Sequence, residues 1–194
     1  MSRKPHCVKN NLDASGLREI PDEELKAILR GADEIVGRGG RTLLKGILRG
    51  SRSKAILVHD LDRSPVHGFF RNLPDGDVLA RIDWAILNGY LRIDHGGRLP
   101  LLTFTQKGWE IERENYANEL LVGFDEVIRR GPPFDMEYLK DRDREMILLL
   151  LDKVAATNDA KYIPVLEAWR MIDYQKVRRR IGQVIRQLEE CNGR

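Results

Sequence analysis

The amino-acid sequence predicts a mainly α-helical protein in two parts, with one small β-hairpin. Apolar residues recur at helical spacing along most of the chain, as at Leu25, Ile28 and Leu29. The stretch 90–104 instead alternates apolar and polar side chains around a glycine-containing turn, which is typical of a hairpin. The segment Gly131–Phe134, GPPF, interrupts the helical pattern and predicts a domain boundary.

The first part has the element order of one compact domain. The elements expected are helix 21–36, helix 42–49, helix 54–59, loop 60–74, helix 77–88 and a hairpin of strands 90–94 and 99–104. We expect Gly50 to end the second helix in the left-handed conformation, and Ser51 or Ser53 to cap the third. Pro100 places the second strand at a sheet edge. Helices followed by a two-stranded hairpin are the order of a winged helix-turn-helix domain.

The second part is predicted to be purely helical. Thr105 is expected to cap a long helix that runs to about Arg130. Beyond the boundary, helices are expected at 136–157, 160–171 and 173–190. The domains expected are a loose N-terminal segment 1–20, a winged-helix domain 21–131 that includes the long helix, and a small helical unit 132–194.

The composition indicates a globular protein with a small net charge. Apolar residues make up 42%, charged residues 32%, and the net charge is +3, so a basic surface requires local clustering. Cys7 and Cys191 lie near opposite ends and are expected to be reduced thiols. The first ten residues lack an apolar core and are not a signal peptide, and the longest apolar run, 146–151, is too short to span a bilayer. We therefore expect a cytoplasmic protein, associated with the nucleoid if prokaryotic, with no membrane partner.

One stretch, RTLLKGILRGSRSK from Arg41 to Lys54, contains five basic residues and no acid. Three of its cations are spaced four residues apart on a helix and therefore share a face. Serine hydroxyls and free backbone N–H groups at the start of the next helix favour an anion. This pattern predicts an anion site of the kind that neutralises DNA phosphates, and the alternative is a solvated charged face. Its candidate residues are Arg38, Arg41, Lys45, Arg49, Ser51, Arg52, Ser53 and Lys54.

The same stretch carries a family resemblance. LRGSRSK, followed by a loop, the helix end ILNGYLRI and the hairpin end LTFTQKGWEI, resembles the RQC domain of RecQ-family helicases over roughly residues 38–112. The resemblance implies a winged helix that binds duplex–single-strand junctions. It also implies phosphate contacts by the Arg-Gly-Ser turn, here Arg49 and Ser51, with Ser53 and Lys54 beside it. A RecQ motor does not fit in this length, and the cysteines for a zinc module are missing, so the chain is similar to stand-alone prokaryotic RQC proteins.

The hairpin, called the wing below, differs from that of the helicases at its tip. In that family an aromatic residue at the tip can stack on the terminal base pair and help to separate strands. Here the tip is His95, Gly96, Gly97 and Arg98, so that only His95 offers a poor substitute. Arg92 and Arg98 can still contact phosphates. The resemblance therefore favours DNA binding more than strand separation.

Helix 77–88 occupies the position of a recognition helix. Its exposed side is expected to carry Asp77 and Asp83, together with Arg81 and Asn88. Because carboxylates repel phosphates, we expect recognition of the DNA backbone and of junction or end shape rather than of base sequence.

A second basic cluster lies in the last helix, which Asp173 is expected to cap. Its residues are Lys176, Arg178, Arg179, Arg180 and Arg186, with no acid until Glu189. The helix pair YIPVLEAWRMIDYQKVRRRIGQVIRQLE is similar to a HEAT-type repeat, which would need to pack on neighbouring helices. This face could extend a DNA path, dock an acidic partner, or simply be solvated.

No spacing in the sequence indicates an active site. His59, Asp60 and Asp62 are better explained by a turn than by a metal, and GRGGRT fails the GxxxxGK[ST] spacing of a phosphate loop. We expect no catalytic residue, no metal and no cofactor. The expected function is non-catalytic DNA binding in repair or replication, with a helicase or other repair protein as a further partner. Two alternatives remain: a protein-interaction adaptor, and a binder of structured RNA.

Overall fold

The computed structural model of the protein describes residues 11–96 and 99–192. These divide into two compact units, one up to Glu112 (unit 1) and one from Arg113 on (unit 2). The division falls inside the longest helix, α5 (Gln106–Arg130), whereas the sequence placed it after that helix, between 131 and 132. The later turns of α5 pack with the C-terminal helices: the Phe124 ring lies 6.0 Å from that of Trp169.

Unit 1 contains four helices before the wing. They are α1 (Asp22–Asp33), α2 (Arg41–Arg49), α3 (Lys54–Leu57) and α4 (Asp75–Leu87), and a 3-10 turn, Leu61–Arg63, lies before α4. Their apolar sides meet in one core, in which Ile28, Leu44, Ile47, Ile56 and Ile82 are fully buried. The predicted order is confirmed, but α3 is shorter than 54–59, since the chain turns at Asp60 in the left-handed conformation.

The wing pairs β1 (Leu91–Asp94) with β2 (Leu101–Phe104) in antiparallel register. Leu91 and Leu102 are buried while Arg92 is exposed, as the alternation predicts. The loop after α1 docks on this hairpin, because the N–H of Leu102 donates to the carbonyl of Gly39 at 2.8 Å. A Cβ at Gly40 would lie 2.7 Å from the Pro100 carbonyl oxygen. The GRGG segment therefore lets the backbone approach the wing closely, besides ending α1.

Unit 2 contains the rest of α5 and three more helices. These are α6 (Arg144–Ala156), α7 (Ile163–Ile172) and α8 (Gln175–Asn192), with 3-10 turns at Glu137–Leu139 and Ala160–Tyr162. The predicted helix 136–157 was too long: Asp143 caps α6 by accepting the N–H of Met146 at 3.0 Å. The likeness of this unit to a HEAT repeat stays a prediction.

Asp173 does not cap α8 as the sequence suggested. It is buried, and it accepts hydrogen bonds from the indole N–H of Trp169 and the backbone N–H of Tyr174, both at 2.6 Å. The helix begins two residues later, at Gln175. Asp173 thus fixes the connection between α7 and α8 rather than the first turn of α8.

The described part of the chain contains neither a membrane-spanning helix nor a metal-binding cluster. No helix there is both long and apolar enough to cross a membrane. No group of three histidine, cysteine, aspartate or glutamate side chains there could hold a metal ion. Cys191 is a free, exposed thiol, whereas Cys7 lies outside the described residues.

Candidate nucleic-acid interface

Arg41, Lys45 and Arg49, called the α2 cations below, share one face of α2, as predicted. All three are engaged by carboxylates of α4. The Arg41 guanidinium lies 2.6 and 2.7 Å from the two carboxylate oxygens of Asp83. Lys45 Nζ lies 2.6 Å and Arg49 Nε 3.0 Å from the carboxylate of Asp75. The acids that are missing from residues 37–58 are therefore supplied by a helix much later in the chain.

Asp83 corrects the prediction made for α4. The sequence placed it on the exposed side, but it is only 4% exposed, because it lies where α4 packs against α2. Besides Arg41, it accepts the backbone N–H of Asp13 at 2.9 Å. Its charge is thus directed into unit 1 and not toward a ligand in solvent.

Asp75 is the exposed acid of this network, since 59% of its side chain is accessible. The hydrogen bond and charge of Lys45, followed by those of Arg49, hold the pKa of Asp75 below its usual range. Lys45 and Arg49 share the single carboxylate of Asp75. The three side chains together therefore carry a net charge of +1, although each cation has a partner.

Arg49 has further partners in the backbone. Its guanidinium donates to the carbonyl oxygens of Phe70 at 3.1 Å, Arg71 at 2.6 Å and Leu73, and so holds the segment before α4 against the end of α2. Gly50 adopts the left-handed conformation, φ 74°, as predicted. Because this guanidinium makes backbone and carboxylate contacts, Arg49 has a structural role, whether or not it also contacts phosphate.

Arg52 and Lys54, called the turn cations below, differ from the α2 cations. Both side chains are exposed, and neither has an ion pair or hydrogen bond within residues 11–96 and 99–192. Ser51 Oγ accepts the N–H of Ser53 at 3.2 Å, whereas Ser53, the N-cap residue of α3, makes no side-chain capping bond. With only four residues, α3 adds little dipole, so the charge of this turn comes from its side chains.

Two residues beside the turn were not identified from the sequence. His67 Nε2 lies 3.1 Å from the Ser51 carbonyl oxygen. The exposed Arg71 donates to the Gly68 carbonyl at 3.1 Å, and a Cβ at Gly50 would lie 3.0 Å from the Gly68 Cα. No local spacing could have indicated them, because tertiary packing brings them to the turn: His67 lies 16 residues along the chain from Ser51.

The wing residues are placed partly as predicted. Arg92 is exposed and donates from Nε to the Thr103 hydroxyl at 3.0 Å, and His95 is exposed. Arg98 lies outside the described residues, so its proposed phosphate contact stays a prediction. Arg38 is exposed and donates to the Glu34 carbonyl at the end of α1.

A cleft of about 540 Å³ lies between α2, α3 and the wing. Its apolar lining includes Leu43, Ile56 and Leu102. Of the predicted residues, it is lined by Arg38, Arg41 and Ser53. The helices α2 and α3 thus lie on one side of the cleft and the wing on the other.

The second basic cluster lies along α8 in unit 2. Arg180 lies 2.5 Å from Asp152 and also donates to Gln183 at 3.3 Å. The others are exposed and have no ion pair in the part of the chain that the structure describes: Lys176, Arg178, Arg179 and Arg186. We call these four residues the α8 face.

Comparison with known families identifies unit 1. The family model of the RQC domain matches residues 21–121, which is 101 of the 194 residues and more than half of the chain. The RQC domain is a winged-helix domain that binds DNA in RecQ helicases. The match includes the region 38–112 on which the resemblance was recognised. A search of curated proteins found no significant match, and a search of solved structures found none.

Proposed function

We propose, from the premise that the chain belongs to the RQC domain family, that unit 1 binds the DNA backbone without catalysing a reaction. The observation that carries this proposal is the turn between α2 and α3. It presents Arg52 and Lys54, which form no ion pair within residues 11–96 and 99–192, beside Arg49 and Ser51, where the family resemblance implies phosphate contacts. A cation that forms no ion pair in the free protein loses none when it neutralises a phosphate.

The α2 cations have a different part in the proposal. Lys45 and Arg49 share one carboxylate, so their group attracts phosphate with a net charge of +1. Arg41 is occupied by the buried Asp83. Direct phosphate contacts are therefore assigned first to Arg52 and Lys54, with Ser51 and Ser53 beside them. Lys45 and Arg49 add attraction at longer range.

The proposed preference is for junctions or ends rather than for base sequence. The cleft between α2, α3 and the wing has an apolar wall, and Arg38 and Arg41 are in its lining, which suits the bases and phosphates of a strand that leaves a duplex. The exposed acids Asp75 and Asp77 at the start of α4 disfavour insertion of that helix into a groove. We place this activity in DNA repair or replication, with a helicase or other repair protein as a partner.

The test is fluorescence anisotropy with a forked duplex, a blunt duplex and a single strand of matched length, over a series of salt concentrations. The proposal predicts the tightest binding to the fork, with a steep decrease in affinity as salt rises. Equal affinity for the three DNAs would remove the junction preference. A competing RNA fork that displaces the DNA at equal concentration would redirect the proposal to structured RNA.

An adaptor role is the second candidate, and one observation favours it. The α2 cations all have carboxylate partners, which leaves a smaller free basic surface than the sequence suggested. An affinity for every DNA weaker than micromolar at moderate salt would support the adaptor role and contradict DNA binding.

A further inference from the structure

The α8 face is a basic surface outside the RQC domain. From Gln175 to Leu188 the helix contains five cations and no acid, and Glu189 and Glu190 follow only in its last turns. Its apolar stripe is buried, as at Ile181 and Val184. The cations consequently lie on the sides of α8 that face solvent.

Of these five cations, only Arg180 forms an ion pair within the described residues. Arg180 is paired with Asp152, whereas the four residues of the α8 face are exposed and carry no ion pair in residues 11–96 and 99–192. Lys176 and Arg179 are three residues apart and are therefore neighbours on the helix, where like charges repel one another. Since no carboxylate of the described residues pairs with either of them, the surface is suited to an anionic partner.

We propose that the α8 face is a second DNA-binding surface, which contacts backbone phosphates independently of the turn in unit 1. Three of its four residues are arginines, and a guanidinium matches phosphate geometry in a bidentate manner. Arg179 and Arg186 are two helical turns apart, about 10.5 Å along the axis. Successive phosphates of one DNA strand are displaced by about 3.4 Å along the DNA axis and further around it, so the two arginines can contact different phosphates.

DNA fits this surface better than an acidic protein does. Protein interfaces gain most of their affinity from buried aromatic and apolar anchors. No large apolar side chain is exposed among residues 175–192 of α8. Met171 and Tyr174, which precede the helix, are exposed, and the Tyr174 hydroxyl donates to Asp141. Phosphate contacts require only the cations that are present.

The experiment uses the full chain, and the inference rests on the proposed function, namely that the protein binds DNA. The test variant is Arg179→Ala/Arg186→Ala. The control, Arg129→Ala/Arg130→Ala, also removes two exposed cations of unit 2, at the end of α5, where Arg130 is paired with Glu126. Both are also made in the Arg52→Ala/Lys54→Ala background, and affinity for a blunt duplex is measured over a salt series.

We expect the test variant to lower the slope of log affinity against log salt by about 1.8, since each phosphate contact contributes about 0.9. The same decrease is expected in the Arg52→Ala/Lys54→Ala background, and circular dichroism should show an unchanged fold. A slope equal to that of the control in both backgrounds would overturn the α8 proposal but leave the proposed function intact. Failure of the unmutated chain to bind would instead overturn the proposed function.

Discussion

The two halves of the basic stretch 41–54 look alike in sequence and differ in the folded protein. Arg41, Lys45 and Arg49 lie 2.6–3.0 Å from carboxylates of α4. Arg52 and Lys54 lie just beyond Gly50 and have no such partner in the described residues. The first group stabilises the contact between α2 and α4. The second group remains available to a ligand.

This difference teaches that a run of cations without acids is not evidence of free charge. The partners of the α2 cations lie 26 to 42 residues further along the chain. They reach α2 because α4 packs against it in the fold. Each of the following predictions tests whether the two groups differ as described.

The largest effect is expected for Arg41→Ala. It leaves the carboxylate of Asp83, whose side chain is 5% exposed, without its cation. Breaking a buried pair from one side costs about 3 kcal/mol or more. Chemical denaturation should show this loss of unfolding free energy. Arg52→Ala is the control and should change it by less than about 0.5 kcal/mol; equal losses for both variants would contradict the comparison.

A smaller loss of stability is expected for Arg49→Ala. The substitution removes the guanidinium that donates to the carbonyls of Phe70, Arg71 and Leu73 and to Asp75. Because the site is partly exposed, water can replace some of these bonds, and we expect a loss of about 2 kcal/mol. Arg49→Lys keeps the charge but not the forked donors, so it should recover only part of the stability. Full recovery by lysine would mean that charge alone matters there.

Freeing the α2 cations should strengthen DNA binding. Asp75→Asn removes the carboxylate that Lys45 and Arg49 share, and we expect affinity for DNA to rise about two- to fivefold at low salt. Asp77→Asn removes one negative charge from the same exposed end of α4 and serves as the matched control. A gain no larger than that of the control would show that the freed cations do not contact DNA.

The smallest effect concerns the titration of Asp75. Lys45 and Arg49 lower the pKa of Asp75 from its ordinary value of 3.8. Because the pKa of Asp75 is lower in the folded than in the unfolded protein, its interaction with the two cations stabilises the fold at pH values above the unfolded-state pKa. This contribution is lost as the pH falls through the folded-state pKa. Carboxyl-detected NMR should show the low value, and Lys45→Ala should raise it toward 3.8. An unchanged value in the variant would remove Lys45 as the cause.

Local patterns predicted most of the fold of unit 1. Alternation gave the faces of the wing, with Leu91 buried and Arg92 exposed, and Gly50 ends α2 in the left-handed conformation. The length of α3 was not predictable, because residues 58 and 59 could have continued the helix. The left-handed backbone at Asp60, where the chain turns, has no signal in the apolar pattern. In unit 2, the buried Met136 and Leu139 continue a helical pattern, but the chain forms a 3-10 turn at Glu137–Leu139 instead.

For the candidate site, the sequence predicted which side chains of α2 share a face but not the ion pairs that they form. Spacing placed Arg41, Lys45 and Arg49 on one face, which the structure confirms. Their partners, like the contact of His67 with the turn, depend on tertiary packing, which spacing does not encode. The role of GRGG in docking on the wing was missed for the same reason, since it rests on close backbone approach.

The central claim is that the turn cations, rather than the α2 cations, contact DNA directly. The most direct measurement is the salt dependence of fork binding for Arg52→Ala/Lys54→Ala, compared with Arg18→Ala/Lys26→Ala, which removes two other exposed cations of unit 1. We predict a slope reduced by about 2 for the turn variant, with unchanged stability, and the unmutated slope for the control. Equal slopes for the two variants would contradict the account.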